Sequence, residues 1–125
     1  MPTHDPKASK RFGPLEAEVI GAIWKAKEPL TVRQLLDALN RSRVPELAYT
    51  TVMTVMNRLV DKGVLKRERQ GRGYAYEAIA DDAAGLAVHG VMREHGNAAI
   101  AHFVAEARAD PKLLRRLERL LEEDK

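Results

Sequence analysis

The sequence predicts a mainly α-helical protein carrying one small β-hairpin, on three observations. Apolar residues recur at i, i+3, i+4 and i+7 through most of the chain. Two short β-compatible runs flank a Gly-rich tetrapeptide near its middle. With no cysteine in 125 residues, the fold must rest on its apolar core rather than on disulfides or thiolate metal sites. The length suits one domain or two small subdomains, and 45% apolar with 31% charged residues is globular composition with a charged surface.

Gly13-Pro14 opens the first helix, proline suiting the first helical position; Leu15, Val19, Ala22 and Ile23 form its stripe, widened by Ile20 and Trp24, and Glu28-Pro29 ends it. Thr31-Val32-Arg33-Gln34 reads as a capping box ahead of a second helix with Val32, Leu35, Leu36 and Leu39 on one face. Arg41 to Glu46, with Ser, Pro and three charges, reads as a loop. A third helix is expected over about 48–62, with Val52, Val55, Met56 and Leu59 as its stripe and Gly63 placed to terminate it. Opposite that stripe cluster Thr50, Thr54, Asn57, Arg58 and Asp61, with Thr51 beside them, a face that is polar but mostly uncharged.

Val64 to Arg69 and Tyr74 to Ile79 predict two strands, and Gln70-Gly71-Arg72-Gly73 predicts a tight tip with Arg69 and Arg72 projecting near it. From Asp81 onward the pattern is purely helical. Val88, Val91 and Met92 mark one segment, which Gly85, Gly90 and Gly96 weaken; Ile100, Phe103, Val104 and Ala107 mark the next. After Asp110-Pro111, an aspartate cap followed by proline, Leu113, Leu114, Leu117, Leu120 and Leu121 line one side.

Charge divides the chain as the elements do. Residues 1–79 hold 14 Lys/Arg against 9 Asp/Glu, and residues 80–125 hold 7 against 9, which suggests a phosphate-binding front joined to a part with another role. Three helices followed by a basic hairpin is the order of a winged helix-turn-helix module, whose third helix enters the DNA major groove. The expected organisation is therefore a flexible basic tail over 1–12, a winged-helix DNA-binding domain over 13–80 and a helical dimerisation region over 81–125. Thr50, Thr54, Asn57 and Arg58 have the hydrogen-bonding chemistry that base edges require, while Lys66, Arg67, Arg69 and Arg72 have the charge that phosphates require. Lys7, Lys10 and Arg11 in the tail are further candidates for backbone contact. The three carboxy-terminal helices are a small set for an independent core, and a second copy would bury the faces left over.

Other chemistries find little support. His89, His95 and His102 are spaced six and seven apart, not at the i, i+4 of a helical ligand pair, so no metal or other cofactor is expected. Ser9 and Ser42 are the only serines, both in irregular segments, and no nucleophile with base and orienter can be assembled; the chain reads as a non-enzyme. No signal-like apolar run and no stretch approaching ~20 apolar residues occurs, so the expected setting is cytoplasmic, without membrane insertion.

The run Leu47-Ala48-Tyr49-Thr50-Thr51-Val52-Met53-Thr54-Val55-Met56-Asn57-Arg58-Leu59-Val60-Asp61-Lys62-Gly63 closely resembles the recognition region of the penicillinase-repressor family of BlaI/MecI/CopY-type regulators. Gly13 to Val19 with Trp24 resembles the family's first helix, and Gly71-Arg72-Gly73-Tyr74-Ala75-Tyr76 its wing. The resemblance is strong over about 12–80 and weaker beyond. It implies a homodimeric repressor of a near-palindromic double-stranded DNA operator, with contacts at Thr51, Thr54 and Arg58, neighbours at Tyr49 and Thr50, and carboxy-terminal helices that dimerise. It also implies an antibiotic-resistance setting, a β-lactam or cell-envelope stress response with derepression through a signal-activated protease that cuts the repressor, or through another signal. Well-known members are cut after an Asn that precedes a Phe; here Phe103 is matched and His102 replaces the Asn. The absence of cysteine disfavours the family's copper-responsive branch. Two other readings stay open: a winged-helix module that docks a protein, which would expose apolar anchors on the third helix, and a winged-helix regulator that senses a small ligand directly.

Overall fold

The structure is a computed structural model that describes residues 12–123. The expected basic tail with Lys7, Lys10 and Arg11 therefore lies outside the described residues, apart from Phe12. The elements run α1 (Pro14–Ala26), β1 (Leu30–Thr31), α2 (Val32–Asn40), α3 (Tyr49–Asp61), β2 (Leu65–Gln70), β3 (Gly73–Ala78), α4 (Ala83–His95), α5 (Asn97–Ala109) and α6 (Pro111–Glu123). They form two compact units, the first ending at Leu86 and the second beginning at Ala87, so α4 contributes its first turn to one unit and the rest to the other. The fold is mainly helical with a small antiparallel sheet, a winged helix in its first unit. No helix of the described residues is long and apolar enough to cross a membrane.

Local chemistry explains the helix starts. In α2 the Gln34 amide N–H donates to Thr31 Oγ1 at 3.1 Å while the Thr31 N–H donates to Gln34 Oε1 at 2.9 Å, the reciprocal box read from the sequence. Asp110 Oδ1 accepts from the Lys112 and Leu113 amides, with Pro111 in the first position of α6. Asp82 Oδ1 accepts from Gly85, and α4 runs through both Gly85 and Gly90. Gly85 is needed there because a Cβ at this position would sit 2.8 Å from the Ala80 Cβ. Gly96, at φ +56°, separates α4 from α5.

Strand β1 was not expected. It pairs Leu30 with Tyr76 and Thr31 with Ala75, so the sheet has three strands in the order β1-β3-β2 instead of a bare hairpin. Two residues are too few to show an alternating pattern, and one of them, Thr31, also caps α2. The hairpin itself has Gln70 opposite Gly73 across a two-residue tip, where Gly71 takes φ +61°.

The stripes converge on one core: Val19, Ile20 and Ile23 of α1, Leu35 and Leu36 of α2, Val52, Val55, Met56 and Leu59 of α3, and Leu65 and Tyr76 of the sheet. Each fully buried aliphatic side chain contributes about 1.5–3 kcal/mol, so this cluster dominates the stability of the first unit. Phe12 and Leu86 also join it, although the sequence reading put Phe12 in the tail and Leu86 in the dimerisation region. The Trp24 indole N–H donates to the Ala80 carbonyl at 2.8 Å, tying α1 to the segment after β3. The Asn40 side chain bonds both the N–H and the C=O of Leu47, closing the loop before α3, and Arg43 of that loop pairs with Glu18.

Among the described residues one charge lies inside. Glu16 is 7% exposed, accepts from the Gly13 N–H at 2.9 Å and receives the Lys62 ammonium on both carboxylate oxygens at 2.9 Å, so α1 is pinned to the end of α3. Burial pushes its carboxyl up, but the Gly13 amide and Lys62, helped by the field of Arg58, outweigh burial and hold the pKa below the ordinary carboxylate value. Between the native and unfolded pKa values the unfolded chain binds the extra proton, so the stabilisation is complete above the unfolded pKa and is lost as pH falls through the native one. Glu16→Ala should lower the unfolding free energy by about 2 kcal/mol near neutral pH, read as a lower urea midpoint. The deficit against wild type should be full above the ordinary carboxylate value of 4.5 and shrink as the pH falls below it.

Candidate nucleic-acid interface

Because Val52, Val55, Met56 and Leu59 are drawn into the core, the opposite arc of α3 has to face outward. Thr50, Thr51, Thr54 and Arg58 are all exposed on that arc, as are Tyr49 and Met53. Spacing of four along Thr50, Thr54 and Arg58 stacks them in one row, the geometry needed to meet successive base edges in a groove that admits one helix.

Asn57 differs from its neighbours. It is half-buried, and its Oδ1 accepts from Arg67 at 2.7 Å and from the Tyr76 hydroxyl at 3.0 Å. The sequence placed Asn57 among groups free to meet DNA; here its oxygen is already committed to the hairpin. The register explains why. Arg67 lies directly opposite Tyr76 and Arg69 opposite Tyr74, so strand alternation puts all four on one face of the wing, with Leu65 and Ala78 at its base. Arg67 also lies 4.7 Å from the Tyr74 ring centroid.

Lys66 falls on the other face of the hairpin from Arg67 and pairs with Glu77 at 3.2 Å across the strands. Arg72 is in the two-residue tip and exposed. Arg58, Arg69 and Arg72 make no ion pair among the described residues. The sequence reading missed Arg33, which stands in the first turn of α2 with its guanidinium 5.3 Å from the Tyr49 ring. Its place inside the capping box was the available signal, since the box sets which way that turn faces.

In the second unit, the residues read as a dimerisation surface remain largely uncovered. Val88, Val91, Met92, Ile100, Phe103, Val104, Leu114, Leu120 and Leu121 are exposed, Phe103 by 49% and Leu121 by 65%, while Leu113 and Leu117 are half-buried. Ala87, Val88, Val91, Met92, Ile100 and Phe103 line an apolar groove of about 390 Å³. His102 and Phe103 lie within α5, both exposed. Among the described residues no group of three His, Asp or Glu could hold a metal ion. A cleft in the first unit, about 440 Å³, is walled by Lys27, Glu28, Glu77 and Asp81 as well as by Ile23 and Trp24.

Residues 12–123 match the family model described as penicillinase repressor. The chain is 39% identical over 107 residues to the transcriptional regulator BlaI of two Mycobacterium tuberculosis strains, a match covering 80% of this chain and 76% of each relative. The solved complex structure of hsRosR-S1 shares 13% identity at TM-score 0.51, covering 92% of this chain and 93% of that one, and hsRosR-S4 is similar at 14% and 0.51, covering 90% and 89%. At such identities these two structures speak to the fold.

Two substitutions test whether α3 reads bases and the wing tip holds phosphate. Arg58→Ala should cost roughly 1–3 kcal/mol on a specific site and relax preference at one base position, measured by titration against single-base variants of a selected site. Arg72→Ala should weaken binding to all sequences alike and reduce the slope of log K against log salt by about one.

Proposed function

The chain belongs to the penicillinase-repressor family, a DNA-binding transcriptional repressor and not an enzyme, and from that premise we propose that it acts as a homodimer on a near-palindromic operator. The observation that carries this reading is the pairing of two surfaces: a hydroxyl- and guanidinium-bearing row on α3, and an uncovered apolar face on α4, α5 and α6. The first suits base edges, the row itself carrying no large apolar side chain while Tyr49 and Met53 are exposed beside it. The second suits a second copy, because α6 fully buries no side chain within one chain although leucines line one side of it. Two-fold pairing would present two α3 helices to half-sites one or more helical turns apart, about 34–36 Å for one turn.

In this reading Thr50, Thr51, Thr54 and Arg58, with Tyr49 beside them, meet the major groove, and Arg67, Arg69 and Arg72 hold the backbone. Derepression belongs to a β-lactam or cell-envelope stress response and acts through the dimerisation helices. The peptide bond between His102 and Phe103 is helical, so a signal-activated protease has to unwind α5 before it can seat that segment in extended form. Cleavage there is expected only with local opening, and mass spectrometry of the repressor from β-lactam-treated producing cells would show the two fragments.

Selection from a random DNA library at near-physiological salt should return an inverted repeat with regularly spaced half-sites; recovery of no motif by folded protein would overturn the operator reading. Phe103→Glu should yield a monomer in sedimentation with helix content unchanged, because Phe103 is half exposed in one chain, and should lower affinity for the selected repeat at least tenfold.

A further inference from the structure

We propose that Asn57 is a positioning residue of the DNA-binding surface: it locks the wing to the recognition helix through Arg67 and reads no base itself. This rests on the DNA-binding reading above and adds a division of labour within it.

Hydrogen-bond chemistry fixes the orientation of the side chain. A guanidinium has donors only, so the amide atom 2.7 Å from the Arg67 nitrogen must be the carbonyl oxygen. The Tyr76 hydroxyl, 3.0 Å from the same oxygen, must then donate too. A carbonyl oxygen has two lone pairs, and both are taken. Recognition of adenine by asparagine needs one free amide acceptor and one free donor on the same group, and the acceptor is spent.

What the bonds achieve is mechanical. Tyr76 is 2% exposed and belongs to the core, so its hydroxyl is a fixed point; Asn57 projects from α3 onto that point; and Arg67, opposite Tyr76 in the register, is held between Asn57 and the Tyr74 ring. The Arg67 guanidinium is thereby ordered in the free protein, and the rotamer entropy that DNA binding would otherwise cost is already lost. The distance between the α3 row and the basic strand of the wing follows from the same three residues. Base readout on α3 is left to Thr50, Thr51, Thr54 and Arg58.

The test uses the full chain, with Asn57→Ala, Arg67→Ala and the double variant, on a site selected by the wild type. Asn57→Ala should bind on the order of tenfold more weakly, reduce the salt slope by about one, return the wild-type motif when put through the same selection, and add no further loss in the Arg67→Ala background. A motif relaxed at one base position, with the loss persisting without Arg67, would make Asn57 a base reader and overturn the proposal. Thermal melting identifies folded variants; should Asn57→Ala melt below the assay temperature, Asn57→Ser gives the same readouts while keeping a polar atom at this half-buried position. Wild-type protein that enriches no sequence overturns the DNA-binding reading and this proposal with it, an outcome distinct from a binding wild type with an altered motif in the variant.

Discussion

Four side chains on one stripe of α3, Val52, Val55, Met56 and Leu59, are almost wholly removed from water, and the rest of the first unit is arranged around holding them there. Rotating α3 by a quarter turn would expose that apolar area and bury threonine hydroxyls without partners, so burial fixes the angular position of the helix more firmly than any single hydrogen bond does. α1 and α2 supply the complementary faces, and Leu65 and Tyr76 close the core from the sheet. The outward row of Thr50, Thr54 and Arg58 is thus a consequence of packing on the opposite side.

Charges refine what the core sets. The Glu16–Lys62 pair joins α1 to the end of α3, Arg43 joins the loop before α3 to α1 through Glu18, and Lys66 is taken by Glu77. These cations serve the fold. Arg58, Arg69 and Arg72 stand outside such pairs among the described residues, and Arg67 is held by neutral groups, an amide oxygen and an aromatic ring, so its positive charge is not cancelled. Arg58, Arg67, Arg69 and Arg72 therefore keep their charge unpaired among the described residues although the net charge of the chain is only +3.

The second unit follows a different economy. Its helices are capped and punctuated correctly by Asp110, Pro111 and Gly96, yet their apolar faces find little to cover them within one chain. Helix formation and helix burial are separate events here: local sequence secures the first, and within one chain the second stays incomplete.

Period and punctuation in the sequence determined the order of the helices and of the two hairpin strands, the core stripes of the first unit, the Thr31 and Asp110 caps and the hairpin tip, because each depends on residues close together in the chain. The outward placement of Thr50, Thr54 and Arg58 was legible for the same reason. The tertiary structure decided what depends on residues far apart in the chain. Strand β1 exists because β3 offers it an edge; Phe12 and Leu86 enter the core because it has room for them; and Lys66 and Arg67, adjacent in sequence, go to opposite faces with different partners once the register with β3 is set. Asn57 shows the limit most plainly. Helical spacing placed it on the polar side of α3, but only the position of Tyr76, nineteen residues away and fixed by the core, turned it from a free group into a link between two elements.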